Sequence, residues 1–536
     1  MGNGHVFVVE GTIGKLVADA TIIPTDQSFT VERYWHHALP IKKANELPAL
    51  KPEHWEERGW GRSQDGRNVW FVHVADDPSG PAARYDRLRA ALSDIAAQSL
   101  SPQVKGRQYP LVVLPVIGTR GGGFGERRGE SIQLLLDTCT DFESGSATID
   151  VAIVTQTPAT YGALQEHRRT RAKGSYPGID LAEAERLGNL AQQGQLALFI
   201  GAGASIPAGA PSWKALIEHL AEQAGLDGAV RATLSKLDAL DQAELLAAEP
   251  GGENGLADRI AKAIKVEHPA LAHALLAALQ CQQAVTTNYD ALYEAAVTAR
   301  NGTIAVLPMQ LPQGNGQWIL KLHGDLEVKK SLVLTRRQFV RFTAISEPSG
   351  AMLQSMLLTR HLLIVGTSMS DPNVLRLIHE VAEYRDAHRV DSNRKAADST
   401  SGKEKKSAEE KFGTILDVSD DAARRRLNET HFTWLTMSGD DLPPRARSLE
   451  IFLDAVAMYA ASDRSWLLDP KYSGLHADRD PQLTKKAVEL YQAITRSDHQ
   501  DDAWEALAAS LRAFGARDTG VSAERGGGEV NGGSAG

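Results

Sequence analysis

Leu196-Ala197-Leu198-Phe199-Ile200-Gly201-Ala202-Gly203-Ala204-Ser205 decides how this chain is read. An unbroken apolar run ends in a turn of glycine, alanine and serine. Leu216, Ile217 and Leu220 then recur at helical spacing after Ser212, so the segment reads as a buried strand, a small-residue turn and a helix. Glycines at such a turn let backbone N–H groups approach a pyrophosphate, and a helix N-terminus favours its negative charge. Position 206 is Ile, where the dinucleotide fingerprint has its third glycine, so the turn alone reads equally well as an ordinary strand-to-helix connection.

Three later segments repeat the pattern. Ala284-Val285-Thr286-Thr287-Asn288-Tyr289-Asp290, Ile319-Leu320-Lys321-Leu322-His323-Gly324-Asp325 and His361-Leu362-Leu363-Ile364-Val365-Gly366-Thr367-Ser368 each run from an apolar strand into polar or small residues. Singly, each has a plain reading: Asn288 as a turn residue, His323 as a core histidine, Ser368 as a cap. Together they place polar groups at several strand carboxyl ends, where open α/β sheets bind ligands.

The 536 residues suggest about three domains at ~150 residues each. Hydrophobic residues make up 42% and charged residues 23%, an ordinary globular balance. Lys plus Arg is 58 against 67 for Asp plus Glu, and the net charge of −9 argues against direct nucleic-acid binding. Cys139 and Cys281 lie far apart with no C-x-x-C, so cysteine alone builds no zinc site, and both read as buried thiols of a reducing compartment. The N-terminal stretch does not read as a signal peptide, and Val6 stands where a myristoylation signal has Ser or Thr. No apolar run approaches the ~20 residues of a spanning helix. A cytoplasmic protein without membrane contact is expected.

Before the deciding stretch, strands are predicted at 6–10, 19–24, 69–74, 111–115 and 151–154. A helix with Leu88, Ala91, Leu92 and Ile95 on one face lies among them. Strands alternating with helices imply a layered α/β unit. The stretch 27–68, rich in Trp, His and Pro, has no clean periodicity. Residues 214–280 are Ala- and Leu-rich and read as a helical insertion, broken at Pro250-Gly251-Gly252. Asp391–Lys411 has no apolar residue larger than Ala and reads as a solvated insertion. Phe432–Leu435 reads as a last strand and Leu449–Tyr459 as a helix completing the second unit.

The first unit resembles a macro domain, the ADP-ribose-binding module. Gly11-Thr12-Ile13 stands where that family has Gly-Asp-Ile, and Ile22-Ile23-Pro24-Thr25-Asp26 where a strand ends in Asn-Ala-Ala-Asn. Leu114-Pro115-Val116-Ile117-Gly118-Thr119, followed by Gly121, Gly122 and Gly123, resembles its phosphate-binding loop. The resemblance implies an ADP-ribose-like ligand over Gly118, Thr119, Gly121, Gly122, Gly123 and Asp26. Thr12 and Asp26 replace the family's adenine- and ribose-reading Asp and Asn, so a variant nucleotide is expected.

The second unit resembles the sirtuin catalytic domain, through Gly-Ala-Gly-Ala-Ser (201–205), Gly-Ala-Pro-Ser-Trp (209–213), Thr-Thr-Asn-Tyr-Asp (286–290), Lys-Leu-His-Gly (321–324) and Gly-Thr-Ser (366–368). It is closer in pattern to the sirtuin-like NAD-cleaving effectors of bacterial anti-phage defence than to the deacylases, whose four-cysteine zinc module is missing. This implies an α/β fold: a macro-like domain at 1–170, then a Rossmann-type doubly wound sirtuin-like domain at 178–462 with helical insertions and a flexible 391–411. C-terminal helices at 463–518 and a disordered tail at 519–536 follow. The resemblance implies His323, Asn288 and Asp290 as catalytic. It implies Gly201, Ala202, Gly203, Ala204, Ser205, Pro211, Trp213, Thr287, Gly366, Thr367 and Ser368 as NAD-binding. NAD would be the substrate and no metal is implied, because nicotinamide is already a cationic leaving group. The implied function is a gated NAD hydrolase of abortive infection, with a homo-oligomer or a defence partner protein. A protein deacylase, an ADP-ribosyltransferase and a non-catalytic nucleotide sensor are the alternatives.

Overall fold

The computed structural model describes residues 4–517 apart from 40, 76–80, 99, 103, 120–124, 145–147, 172–175, 346, 398–410, 477–480 and 498–500. The expected tail at 519–536, Gly121 to Gly123, and most of the solvated insertion lie outside these residues; the backbone of 391–397 continues a helix from Pro372.

In the N-terminal half, β1 (Val6–Glu10), β2 (Ala20–Thr25), β3 (Trp60–Arg62), β4 (Val69–His73), β5 (Leu111–Pro115) and β6 (Asp150–Thr155) form one sheet in the order β1-β6-β5-β2-β4-β3. Only the β3–β4 pairing is antiparallel. Every residue of β1, β4, β5 and β6 is buried. A parallel sheet covered on both faces demands such continuous apolar runs, which is why these strands were readable.

The stretch without periodicity adds β3 to the edge of this sheet. It also supplies 3-10 turns at Arg33–Ala38 and Ala44–Leu50. Its aromatic residues anchor it: buried Trp55 donates its indole N–H to Gln27 O at 2.8 Å, and the Phe29 ring packs edge-on against Trp55 and Phe71.

The second sheet contains β7 (Leu196–Ile200), β8 (Gln283–Thr286), β9 (Ile304–Leu307), β10 (Gln317–Lys321), β11 (His361–Val365), β12 (Gly413–Asp417) and β13 (Phe432–Thr436). Their order is β13-β12-β11-β7-β8-β10-β9, and all pairs are parallel. The chain starts at central β7, winds outward through β8, β9 and β10, then returns to β11 on the other side. The topological switch therefore falls between β7 and β11. The helices from Trp213 to Ala263 form a separate small core around Leu220, Leu246 and Ile260. The Ala-rich helix Leu271–Ala278 instead joins the main core.

The helix Leu442–Ala460 does more than complete the second half. It packs on the helices Leu181–Gln192 and Leu271–Ala278, and also on Pro158–Arg171 and β1 of the first half. Its Asp454 is fully buried and meets His5 Nε2 at 2.9 Å, the Val8 amide at 3.3 Å and the Arg168 guanidinium. Burial alone would push this carboxyl up, yet Arg168 and His5 hold it down at about 2. One turn earlier, Glu450 joins Arg107, which pairs with Asp150 at 2.6 Å. One hydrophobic core consequently runs through residues of both halves.

Candidate active site

Strand register fixes the site. Ile200 pairs with both Val365 and Thr286, and Thr286 pairs with Lys321. Residues 201, 366, 287 and 322 thus leave the sheet at one level, and the polar groups beyond them share one edge.

At β7 and β11 the glycines permit backbone to pack on backbone. A Cβ on Gly201 would stand 2.5 Å from Gly366 O, and one on Gly366, at φ +72°, would stand 2.5 Å from Ala204 N. Gly201 and Gly203 donate their amides to Val365 O and Gly366 O at 2.8 Å each. These two amides are engaged inside the fold, and the glycines serve close approach here. Ala202 and Gly203 form an exposed rim, while Ala204 and Ser205 are buried.

Ser205 is the hub of the next layer. Its hydroxyl donates to Asp290 Oδ2 at 2.9 Å and accepts from Asn288 Nδ2 at 3.2 Å. The His273 ring reaches it at 3.4 Å. His273 Nδ1 accepts from the Ala270 amide, so the neutral ring carries its proton on Nε2, facing Ser205. Burial lowers the His273 pKa to about 4, partly offset by the Asp290 charge. Asn288 is further oriented by its amide, which donates to Thr286 Oγ1 at 2.9 Å. Its Oδ1 is buried with no partner among the described residues, an acceptor of the kind that a ligand donor satisfies. Thr287 is half-buried beside it.

His323 sits two residues past β10. Its Nε2 lies 3.0 Å from Asp371 Oδ2, and its ring packs 4.9 Å from Phe339. Burial pushes the Asp371 carboxyl up, but His323 and the amides of Val374 and Asn373 outweigh it and keep the group ionised. Beneath, Lys321 is buried at 2% exposure and holds Glu294 at 3.0 Å, Asp325 at 2.6 Å and the carbonyl of Asp290 at 2.6 Å. This ammonium locks the β8 and β10 ends together.

After β11, Thr367 Oγ1 accepts the Met369 amide at 3.1 Å, and Ser368 and Ser370 share a 2.6 Å hydrogen bond. Ser212 caps the helix at Trp213 by accepting from Ala215 N. Pro211 precedes that cap, half-buried, and the Trp213 indole donates to Gln242 of the helical insertion at 3.2 Å. Trp213 is therefore engaged with the insertion.

Sequence reasoning gave no site role to His273, Asp371, Lys321 and Glu294, although Lys321 lies in the Lys-Leu-His-Gly motif and Asp371 in the stretch Gly366–Pro372, whose Gly-x-Ser-x-Ser-Asp-Pro pattern is that of the defence effectors. His273 did leave a signal, being the single polar residue of the buried run Leu271–Ala278. In the first half, Asp26 accepts the Thr30 amide at 2.6 Å, and Thr119 Oγ1 donates to Val116 O at 3.3 Å. Gly118 takes φ +75° between them.

Residues 282–414 match the model of the SIR2-like domain. The matched range holds β8 to β11 and the first two residues of β12, and includes Asn288, Asp290, His323 and Gly366. Among curated proteins, the chain is 30% identical over 190 residues to the NAD(+) hydrolase ThsA of Acinetobacter baumannii, covering 34% of this chain and 38% of that protein. The ThsA of Enterococcus faecium is 29% identical over 211 residues, covering 37% and 42%, and that of Bacillus cereus 28% over 209 residues, covering 37% and 41%. The match thus spans about two fifths of these relatives' length. A solved macrodomain mutant of Oceanobacillus iheyensis with ADPR aligns with 31% of this chain and 92% of its own, at 17% identity and a TM-score of 0.24.

Proposed function

We propose that the SIR2-like domain cleaves NAD to nicotinamide and ADP-ribose, as a defence effector whose activity the N-terminal unit gates. The observation that carries this reading is the shared level of the strand ends, which puts His323 with Asp371 and Asn288 with Ser205 at one sheet edge. The relatives named NAD(+) hydrolase ThsA support the same reaction.

The chemistry follows from the groups present. The bond between C1′ and the nicotinamide nitrogen breaks, and its electron pair leaves with nicotinamide. Water then attacks the oxocarbenium-like C1′ and loses a proton. His323, with Asp371 stabilising its charged form, takes that proton or one from a ribose hydroxyl. Asn288 orients water or ribose through its free Oδ1. Gly201 to Ser205, Pro211, Trp213, Thr287 and Gly366 to Ser368 belong to the proposed nucleotide surface, with Trp213 engaged with the insertion. Assembly into a homo-oligomer, or with a defence partner protein, belongs to the same proposal.

His323→Ala and Asn288→Ala test the assignment. Each should lower nicotinamide release by about 100-fold or more, the scale of a lost acid–base group. An unaltered thermal transition would show that the fold is intact. Near-normal turnover in both would overturn the roles given to these residues.

A further inference from the structure

The N-terminal sheet has its own cleft at the carboxyl ends of β1, β2, β5 and β6. It consists of two cavities of about 70 and 130 Å³, and Trp35 and Val116 line both. Neither approaches the ~300 Å³ at which ligand sites begin. Trp35 belongs to the 3-10 turn Arg33–Ala38, contributed by the stretch 27–68 that has no clean periodicity. Trp35 thus stands between two cavities, each too small for a nucleotide.

The neighbouring Tyr34 ties the turn to the other half of the molecule. Its hydroxyl donates to Gln156 Oε1, Gln156 Nε2 donates to Thr12 Oγ1 at 2.6 Å, and Thr12 Oγ1 donates to Ala299 O at 2.9 Å. Beside this chain of hydrogen bonds, Arg300 Nε pairs with Glu10 Oε2 at 2.8 Å, with side chains 9% and 1% exposed. Both contacts grip the end of the helix Leu292–Ala299 in the second half. The start of that helix is in the candidate active site: Asp290 Oδ1 caps the Leu292 amide at 3.1 Å, and Glu294 holds Lys321. Eight helical residues make a rigid link of about 12 Å.

We propose that the 33–38 turn plugs the N-terminal cleft, and that a nucleotide displacing it acts on Asp290 through Gln156, Thr12, Arg300 and the 292–299 helix. This deepens the gating reading above and rests on its nucleotide ligand. The residue that replaces the family's adenine-reading acid is explained by it: both hydrogen-bonding roles of the Thr12 hydroxyl serve this cross-connection. A ligand shifts activity only through such a differential contact between two states.

Hydrogen exchange on the full chain, with ADP-ribose as the probe, tests the proposal without requiring turnover. ADP-ribose should alter exchange at 116–119 and, by about fivefold or more, at 292–299. In Thr12→Val and Arg300→Met the response at 292–299 should fall below about twofold while that at 116–119 persists. Thr12→Ser, which keeps the hydroxyl, should restore it. Exchange at 202–205 reports any binding in the second half separately. Trp35→Ala should tighten ADP-ribose binding about tenfold by removing the plug. An equal response at 292–299 in all variants, a response at 116–119 alone, or no response at 116–119 would each overturn the coupling. Unchanged affinity in Trp35→Ala would overturn the plug. A normal exchange pattern in a chain that releases no nicotinamide would leave the coupling standing and remove the NAD-cleaving reading instead.

Discussion

Gly366 shows how one residue carries the architecture of the site. Its positive φ and its contact with Ala204 leave no room for a side chain. Gly366→Ala should therefore cost about 1–3 kcal/mol, as forced backbone strain does. It should also raise KM for NAD, because β7 and β11 would separate where the nucleotide is proposed to lie. Denaturant unfolding and initial rates measure the two effects, and an unchanged midpoint with unchanged KM would contradict the packing argument. Lys321 is the second such residue. Lys321→Met leaves Glu294 and Asp325 buried without their cation, a loss of about 3–5 kcal/mol. A stability within about 1 kcal/mol of wild type would show that these carboxylates find other partners or take up protons.

At the scale of elements, the buried parallel strands were legible because burial on both faces forces continuous apolar runs, as in Leu111–Pro115 and His361–Val365. The positions of Asn288 and His323 followed from the same runs. β3 and β9 were not legible, since Trp60–Arg62 and Ile304–Leu307 are short edge strands without full burial. β12 begins at Gly413, directly after a charged, apolar-poor stretch that hides its start. The contact of Thr12 with Ala299 spans 287 positions, and no local periodicity encodes it. The double role of the helix Leu442–Ala460 did leave a trace, because Glu450 and Asp454 interrupt its apolar face. Asp454→Asn should destabilise the protein by about 3–5 kcal/mol, leaving the buried Arg168 charge without its anion. The loss should appear in one cooperative transition, because this helix belongs to the core shared by both halves. Two separate transitions in the wild type would contradict that shared core.

For the whole molecule, acid stability reports two histidines, the buried His273 and the half-buried His361. Burial, the largest cause in each, lowers both His273 and His361 to about 4. The unfolded chain takes up these protons near pH 6.5 and the folded chain resists them. The two groups therefore contribute nothing above about pH 6.5, and stability falls as pH drops from 6.5 towards 4, by up to about 3 kcal/mol for each. His361→Gln should flatten the melting temperature across this window, and an equally steep profile would locate the acid sensitivity elsewhere. Asp371, held low by its hydrogen bonds from His323 and two backbone amides, and Asp454, held low chiefly by Arg168, act only below it.

The central claim is that the polar edge of the second sheet cleaves NAD by itself. Its most direct measurement is chromatographic quantification of nicotinamide and ADP-ribose after incubating the full chain with NAD alone, with ADP-ribose added in a parallel sample to act on the N-terminal cleft. The account predicts nicotinamide equal to the ADP-ribose formed above any added, in at least one sample, with no acylated peptide or protein acceptor supplied, and the loss of both in His323→Ala. No nicotinamide in either sample, or release only when an acyl-lysine peptide is present, would contradict it.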